Sequence, residues 1–564
     1  MKRNDILQIP FKRDLWDALS PGADRADRLA SENPAAAAGR ANDAWRAREM
    51  QPFALQAGAL GRVGAINAMT ARRLATYLLF LGRSHEALAL VSNDEVCGTH
   101  DAQRWCLIGQ ALAGVGRIGD AAEAAQRSLD LSPGFEPAEQ LRDRIGEIVT
   151  LELAVATGPA WTDAGRLASA FMALGAVDRA AAALERGFSG KPPPASAGDA
   201  LAIAKVVLTA CSVDAAAGLR PLIRTLDPGD PASALSPDAV RDGELCLGLC
   251  DAAMGWTEAA VERLGSLTAR YPRDEEIRAL LAREVGRLVR RDTPIVFAPR
   301  EGPRKVFDLF PFNNELLMLR IKLEEMADWV DHFVLVESRH TFTGRPKPLV
   351  FDQAKEQFAA FAAKIVHVVV DDAPECVDAA WAREFYQRDS AIRGLQGLCD
   401  PDDLVLVTDV DEIVDRRVLG ELTGDFASLK SHFFRYFLNN RMALEQHEQR
   451  GLTSIWKARY LDACGPSYLR ALLPHYSAQR IFDAGWHFQS IDTEIGIAAK
   501  LRSYSHQEHA GRSVKRIRGA MSWMRSSGVD NGWERLEIDD RLPAYVRDNA
   551  EALADFILPP REAR

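Results

Sequence analysis

Two hydrophobic grammars divide the chain. From about residue 42 to 292 apolar positions recur at helical spacing, in Ala- and Leu-rich stretches with short breaks and no convincing strand. Near residue 293 the pattern changes: TPIVFAPREGPRK brings in three prolines, and short β-branched runs then alternate with helical segments. That change predicts a domain boundary, with an all-helical half before it and an α/β half after it.

Within the first half a phrase recurs: LATYLLFLGRSHEALALV (74 to 91), CLIGQALAGVGRIGDAAEAAQRSL (106 to 129), LASAFMALGAVDRAAAALERG (167 to 187) and LCLGLCDAAMGWTEAAVERLGSL (245 to 267). Each is an apolar helix face, a Gly turn, and a second helix that starts at a small or acidic residue. Gly82-Arg83 and Gly116-Arg117 stand 34 residues apart, the period of the tetratricopeptide repeat. The region 42–292 therefore resembles tetratricopeptide-like helical hairpins, degenerate and unevenly spaced; a generic helical bundle is the plainer alternative. Small residues at the crossing let antiparallel helices approach, and stacking buries the other apolar face. With no catalytic constellation in it, this half reads as a surface for a protein partner or a second protomer. Residues 1–41, Ala-, Asp- and Arg-rich around PAAAAGRA, read as an N-terminal segment and flexible linker.

In the second half KVFDLF (305 to 310), HFVLVES (332 to 338), KIVHVVV (364 to 370) and DLVLVTDVD (403 to 411) read as strands. A turn through Pro311–Asn314, then a helix over 314–329 that an Asn can cap, separates the first two, and a helix over 381–398 precedes the fourth. Apolar strands separated by helices indicate a parallel sheet covered on both faces, whose ligands bind at the carboxyl ends of the strands. Polar residues gather there: Asn313, Asn314 and Glu315, then Glu337 and Ser338, then Asp371 and Asp372, then Asp409 and Asp411. In extended geometry the i, i+2 pair Asp409 and Asp411 shares one face, and two such carboxylates repel unless a cation lies between them. A divalent metal is one reading; a solvated acidic turn is the other.

Composition narrows the picture. The 564 residues carry a net charge of −10, so nothing global points to nucleic acid or to a membrane surface. The eight cysteines are scattered with no C-x-x-C pair, and Cys246 and Cys250 read as helix core rather than as a metal site. The N-terminus shows no signal-peptide pattern, and no segment reaches the ~18 uninterrupted apolar residues of a membrane span. A soluble, cytoplasmic protein is expected, and its Ala- and Arg-rich usage suggests a bacterial one.

A more specific resemblance rests on long motifs in order: KVFDLFPFNNELLMLRIKLEEMADWVDHFVLVESRHTFTGRPKPLVF, KIVHVVVDDAP, AWAREFYQRDSAIRGL, DPDDLVLVTDVDEI and DAGWHFQS. Over about residues 304–510 they resemble glycosyltransferase family 17, which includes the β-1,4-mannosyl-glycoprotein 4-β-N-acetylglucosaminyltransferases. The resemblance implies a GT-A-like, Rossmann-like nucleotide-sugar domain over 303–520, followed by a helical extension over 521–564. It implies inverting transfer from a UDP-sugar, typically UDP-N-acetylglucosamine, with Mn²⁺ or Mg²⁺, to a glycan, lipid-linked or protein acceptor. Asp409, Asp411 and His487 then hold the metal. Phe312, Asn313, Asn314, Glu315 and Glu337 become candidates for the uridine pocket; Lys347, in the polar loop from Thr341, and Arg388, ahead of Arg393, become candidates for the diphosphate. Asp411 and Glu412 are the catalytic candidates, although Asp483, Asp492 and Glu494 are equally available as the base an inverting displacement needs. The chain departs from the family where Phe488-Gln489-Ser490 follows His487 and where Glu494-Ile495-Gly496-Ile497 replaces an E-G-I phrase.

Two other classes compete: a helical-repeat scaffold carrying an inactive transferase-like domain, and a nucleotidyltransferase. The latter calls for a Gly-rich basic loop after the first strand, which PFNNELL does not provide.

Overall fold

The structure, a computed structural model, describes residues 30–559 except 47–49, 63, 81, 98–100, 158–160, 189–193, 210, 227, 229–234, 301, 443–452, 473–478, 508–512 and 527–531. The chain divides into two compact units, Met1–Trp256 and Thr257–Arg564.

The first unit is helical, as its periodicity predicts. Its hairpins include Ala68–Phe80 with Ser84–Val91, Ala102–Gly114 with Ile118–Leu131, and Trp161–Ala173 with Val177–Phe188. Gly82, Gly116 and Gly175 between them all have φ between +74° and +79°, a left-handed turn that glycine adopts without Cβ strain. Close crossing is visible at Gly109, where an added Cβ would come within 2.9 Å of the Leu141 side chain. A 22-residue helix, Glu136–Thr157, breaks the regular period. The expected linker is corrected in part: Pro34–Arg46 is a helix burying Ala37, Ala41 and Ala44 beside Phe53. Alanine has the highest helix propensity, and Ala37, Ala41 and Ala44 recur at i, i+4 and i+7 on one face. Residues 1–29 of that segment lie outside the described residues.

The second unit opens with helices α1 (Thr257–Arg270) and α2 (Glu275–Asp292). They belong here, although the strands start only after residue 293, because α2 packs on α4 (Ala380–Asp389) and α5 (Pro466–Leu472). A seven-stranded sheet follows, made of β1 (Val306–Phe312), β2 (His332–Ser338), β3 (Ile365–Val370), β4 (Leu404–Val407), β6 (Phe426–Leu429), β9 (Ser454–Lys457) and β10 (Gln479–Ile481). Its order is β10-β6-β9-β4-β1-β2-β3, with β3, β2, β1 and β4 mutually parallel and β9 inserted antiparallel between β4 and β6. The first four strands are those read from the sequence. Strand β1, however, runs on through Pro311 and Phe312, where a turn was expected, while the last strand stops at Val407, before the acids. The helix over 381–398 shortens to α4 followed by a 3-10 turn, Ser390–Leu395.

A second, five-stranded sheet joins β5 (Glu412–Val414), β7 (His432–Arg435), β8 (Asn440–Met442), β11 (Gly485–Gln489) and β12 (Trp533–Arg535) in the order β12-β8-β7-β11-β5. The stretch 521–564 is more than a helical extension: it supplies β12 and places Leu536, Leu542, Val546 and Leu553 in the core shared with β1 and β2. No helix among the described residues is long and apolar enough to cross a membrane.

Candidate functional site

Parallel strand order reverses at β1, with β2 on one side and β4 on the other. The crevice beyond the carboxyl ends of such strands is the usual ligand seat of an α/β sheet. Helix α3 (Leu316–Met326) braces it from below: Lys322 Nζ donates to Asp308 Oδ2 at 2.6 Å and to Thr408 Oγ1 at 3.0 Å, and that hydroxyl donates to Asp308 Oδ1 at 2.6 Å. All three side chains are fully buried, so α3, β1 and β4 are locked in register directly under the acidic turn.

Above this lock the chain leaves β4 and turns through Val410 and Asp411 before β5 begins. The shared face expected of Asp409 and Asp411 is therefore not formed, because the backbone between them is a turn and not a strand. Asp409 looks toward two guanidiniums: its Oδ1 accepts from Arg388 and its Oδ2 from Arg470, both at 2.8 Å. Arg470 also donates to both oxygens of Glu412, at 2.8 and 2.9 Å, and Glu412 accepts the Asp409 N–H at 2.8 Å. Glu384 completes the cluster through Arg388 at 3.2 Å and the Ser505 hydroxyl. Burial pushes the acids of Asp409 and Glu412 up, but the guanidiniums outweigh it and hold both carboxyls below their ordinary range; for Glu412 the charge is that of Arg470. Glu412, a catalytic candidate by sequence, is thus a tied, ionised anchor.

Asp411 faces the other way. Lys500, from helix α6 (Glu494–Ser503), places Nζ 3.1 Å from Asp411 Oδ2 and 3.1 Å from Glu315 Oε1. His487 Nε2 stands 3.9 Å from Asp411 Oδ1, and its Nδ1 is 3.8 Å from Glu412 Oε1. The second sheet creates this meeting: His487 on β11 pairs with Glu412 on β5, and the Phe488 N–H donates to the Asp411 carbonyl at 2.8 Å. Phe433 packs edge-on against the imidazole.

The remaining sequence candidates fall elsewhere. Phe312 is buried in the core against Phe351, so it is a wall of the fold rather than of an open pocket. Neither Asn313 nor Asn314 caps α3; instead the Glu315 carboxylate accepts both of their N–H groups, at 3.2 and 3.0 Å. Glu337 is fully buried and tied to Lys347, to His367 and to the N–H groups of Val350 and Phe351. Lys347 also donates to the Asn313 carbonyl at 3.2 Å, joining the ends of β1 and β2. Arg393 pairs with Asp372. Of the other candidate bases, Asp483 pairs with His432 and Glu494 faces Arg518, while Asp492 accepts the Thr493 N–H. Beside the strand ends a cleft of about 260 Å³ is lined by Ser338, His340, Phe342, Asp371, Tyr386 and Gln387, among others.

Sequence reasoning missed Arg470, Lys500 and Glu384. No local motif marks Arg470 or Lys500, which acquire their roles by packing onto a turn far away in the chain; Glu384 lies inside the AWAREFYQRDSAIRGL motif, one helical turn before its partner Arg388. Among the described residues no three His, Cys, Asp or Glu side chains form a ready-made metal cluster. The residues nevertheless fit a divalent ion in one place. Metal–nitrogen and metal–oxygen bonds of about 2.0–2.2 Å each span the 3.9 Å between His487 Nε2 and Asp411 Oδ1. Five carboxylates, Asp409, Asp411, Glu412, Glu315 and Glu384, gather here around Arg388, Arg470 and Lys500, and the Lys347 ammonium also acts on Glu315.

Comparison with known proteins finds relatives for part of this chain. The chain is 33% identical over 128 residues to the β-1,4-mannosyl-glycoprotein 4-β-N-acetylglucosaminyltransferases of Rattus norvegicus and Homo sapiens, which is 21% of this chain and 23% of either relative. It thus spans about a quarter of the length of these curated relatives. A solved tetratricopeptide domain, that of P58(IPK), is similar to 44% of this chain and 86% of its own, with 13% identity and a TM-score of 0.21. Residues 296–518, which hold every strand of the crevice and its acidic turn, match the family model for glycosyltransferase family 17, so the resemblance carried by the motif series is borne out.

Proposed function

We propose that the α/β unit is a metal-dependent inverting glycosyltransferase that moves N-acetylglucosamine, or a related sugar, from a UDP-sugar to a glycan, lipid-linked or protein acceptor. The observation that carries this reading is the meeting of Asp411 and His487 in the strand-end crevice of the region that matches the family 17 model, inside a cluster that also holds Asp409, Glu412, Glu315 and Glu384. Asp411 and His487 would hold Mn²⁺ or Mg²⁺, which when bound supplies charge stabilisation to the departing diphosphate. Asp409 serves a different end: it and Glu412 fix Arg388 and Arg470, making the floor rigid and already ionised before donor arrives. Glu315 and Lys347 pin the β1 loop at the rim of the crevice. The neighbouring cleft, walled by Phe342 and Tyr386 and offering Ser338 and His340 as polar contacts, takes the nucleoside. The helical hairpins recruit the acceptor, and the scattered cysteines support a cytoplasmic setting.

The test is calorimetric titration of UDP with and without Mn²⁺. Wild type should bind in a metal-dependent manner, and Asp411→Ala should lose that dependence while remaining folded. Folded wild type that neither binds nor turns over any nucleotide sugar contradicts the proposal.

A further inference from the structure

The three cations of the cluster are not equivalent. Arg388 and Arg470 are almost wholly enclosed, and each also donates to a strand-end carbonyl, Thr408 and Val407 respectively. Those extra bonds fix their planar heads. Among the described residues the Lys500 ammonium has only carboxylate partners, Asp411 and Glu315, each at 3.1 Å. It is also the most solvent-reachable of the three, its side chain 27% exposed against 4% for Arg388 and 9% for Arg470. It reaches in from α6, outside the two turns that carry its partners, on a flexible four-carbon stem. Its ammonium sits on Asp411, the carboxylate that would share a divalent ion with His487, so ammonium and ion compete for the same charge.

Resting on the glycosyltransferase reading, we infer that Lys500 is an exchangeable cation: without donor it neutralises Asp411 and Glu315, and on donor binding it leaves Asp411 for the donor's phosphate oxygens. The exchange couples metal to donor. Lys500 keeps a bare divalent ion out of the crevice, and a metal–diphosphate complex, carrying its own negative charge, gives the ammonium a new partner as it releases the old one.

Two titrations on the full-length protein test this: Mn²⁺ alone, followed by the electron paramagnetic resonance of the free ion, and UDP at saturating Mn²⁺, followed by calorimetry. Lys500→Met should bind Mn²⁺ alone about tenfold or more tightly than wild type, yet bind UDP about tenfold or more weakly. Lys500→Gln, which keeps a hydrogen-bond donor but no charge, gives the same pair of shifts should the Met variant fail to fold. Wild type that binds UDP with Mn²⁺ while a folded, uncharged variant matches it in both titrations overturns the inference and leaves the glycosyltransferase reading standing. Wild type that binds no UDP under any condition overturns both.

Discussion

Arg470 is the residue on which the acidic turn depends. It binds Asp409 and Glu412 together and is buried with Glu412, while Asp409 is half-buried, and removing one member of the buried pair leaves charge without compensation. Arg470→Met is expected to cost about 3–5 kcal/mol in urea unfolding and to abolish donor binding, whereas Arg388→Met, which leaves Arg470 on Asp409, should cost less. The sequence showed which residues are acidic but not what each one faces. Asp409 and Asp411 looked interchangeable because their spacing was read as extended; the turn at Val410 and Asp411 sends one to the guanidiniums and the other to Lys500 and His487. Partners such as Arg470 and Lys500, 61 and 89 residues further along the chain, carry no local signal, because only the folded chain brings them to the turn.

At the scale of elements, Asp389 ends α4 against α2 and the start of α5. Its Oδ1 accepts the Ser467 N–H at 2.6 Å, and its Oδ2 is buried beside Gly286 and Gly465 with no hydrogen-bond partner among the described residues. Burial pushes this carboxyl up to about 6. A folded-state value above the unfolded one near 3.9 means that the folded chain binds the extra proton, so stability falls as pH rises from about 4 through 6 and is then level. Asp389→Asn should remove that slope and stabilise the protein at pH 7.5 by about 3 kcal/mol relative to its effect at pH 4, measured by chemical unfolding at both. Elements themselves were the most legible level. Val-, Ile- and Leu-rich runs specified β1 to β4 because both faces of those strands are covered. The short strands of the second sheet, several only three residues long, carry too little alternation to be recognised, although they are what brings His487 to Asp411.

On the scale of the whole molecule, the change in composition near residue 293 marks where strands begin, while the compact division falls between Trp256 and Thr257. The hairpin of α1 and α2 has the sequence character of the repeats and the packing of the α/β unit, because α2 covers α4 and α5. A fragment starting at Thr257 should therefore fold cooperatively and retain UDP binding, whereas one starting near residue 293 should expose the apolar faces of α4 and α5 and aggregate; size-exclusion chromatography and calorimetry distinguish them. The motif series from 304 to 510 made the match to the family 17 model legible because it runs through the strand ends that build the crevice, whereas no motif in the sequence points to an acceptor. The account as a whole rests on sugar transfer, and UDP release from a panel of UDP-sugars in the presence of Mn²⁺ examines it most directly. Mn²⁺-stimulated release from at least one UDP-N-acetylhexosamine, lost in Asp411→Ala, is the predicted result; a folded protein that releases no UDP from any of them, or an Asp411→Ala variant as active as wild type, would contradict it.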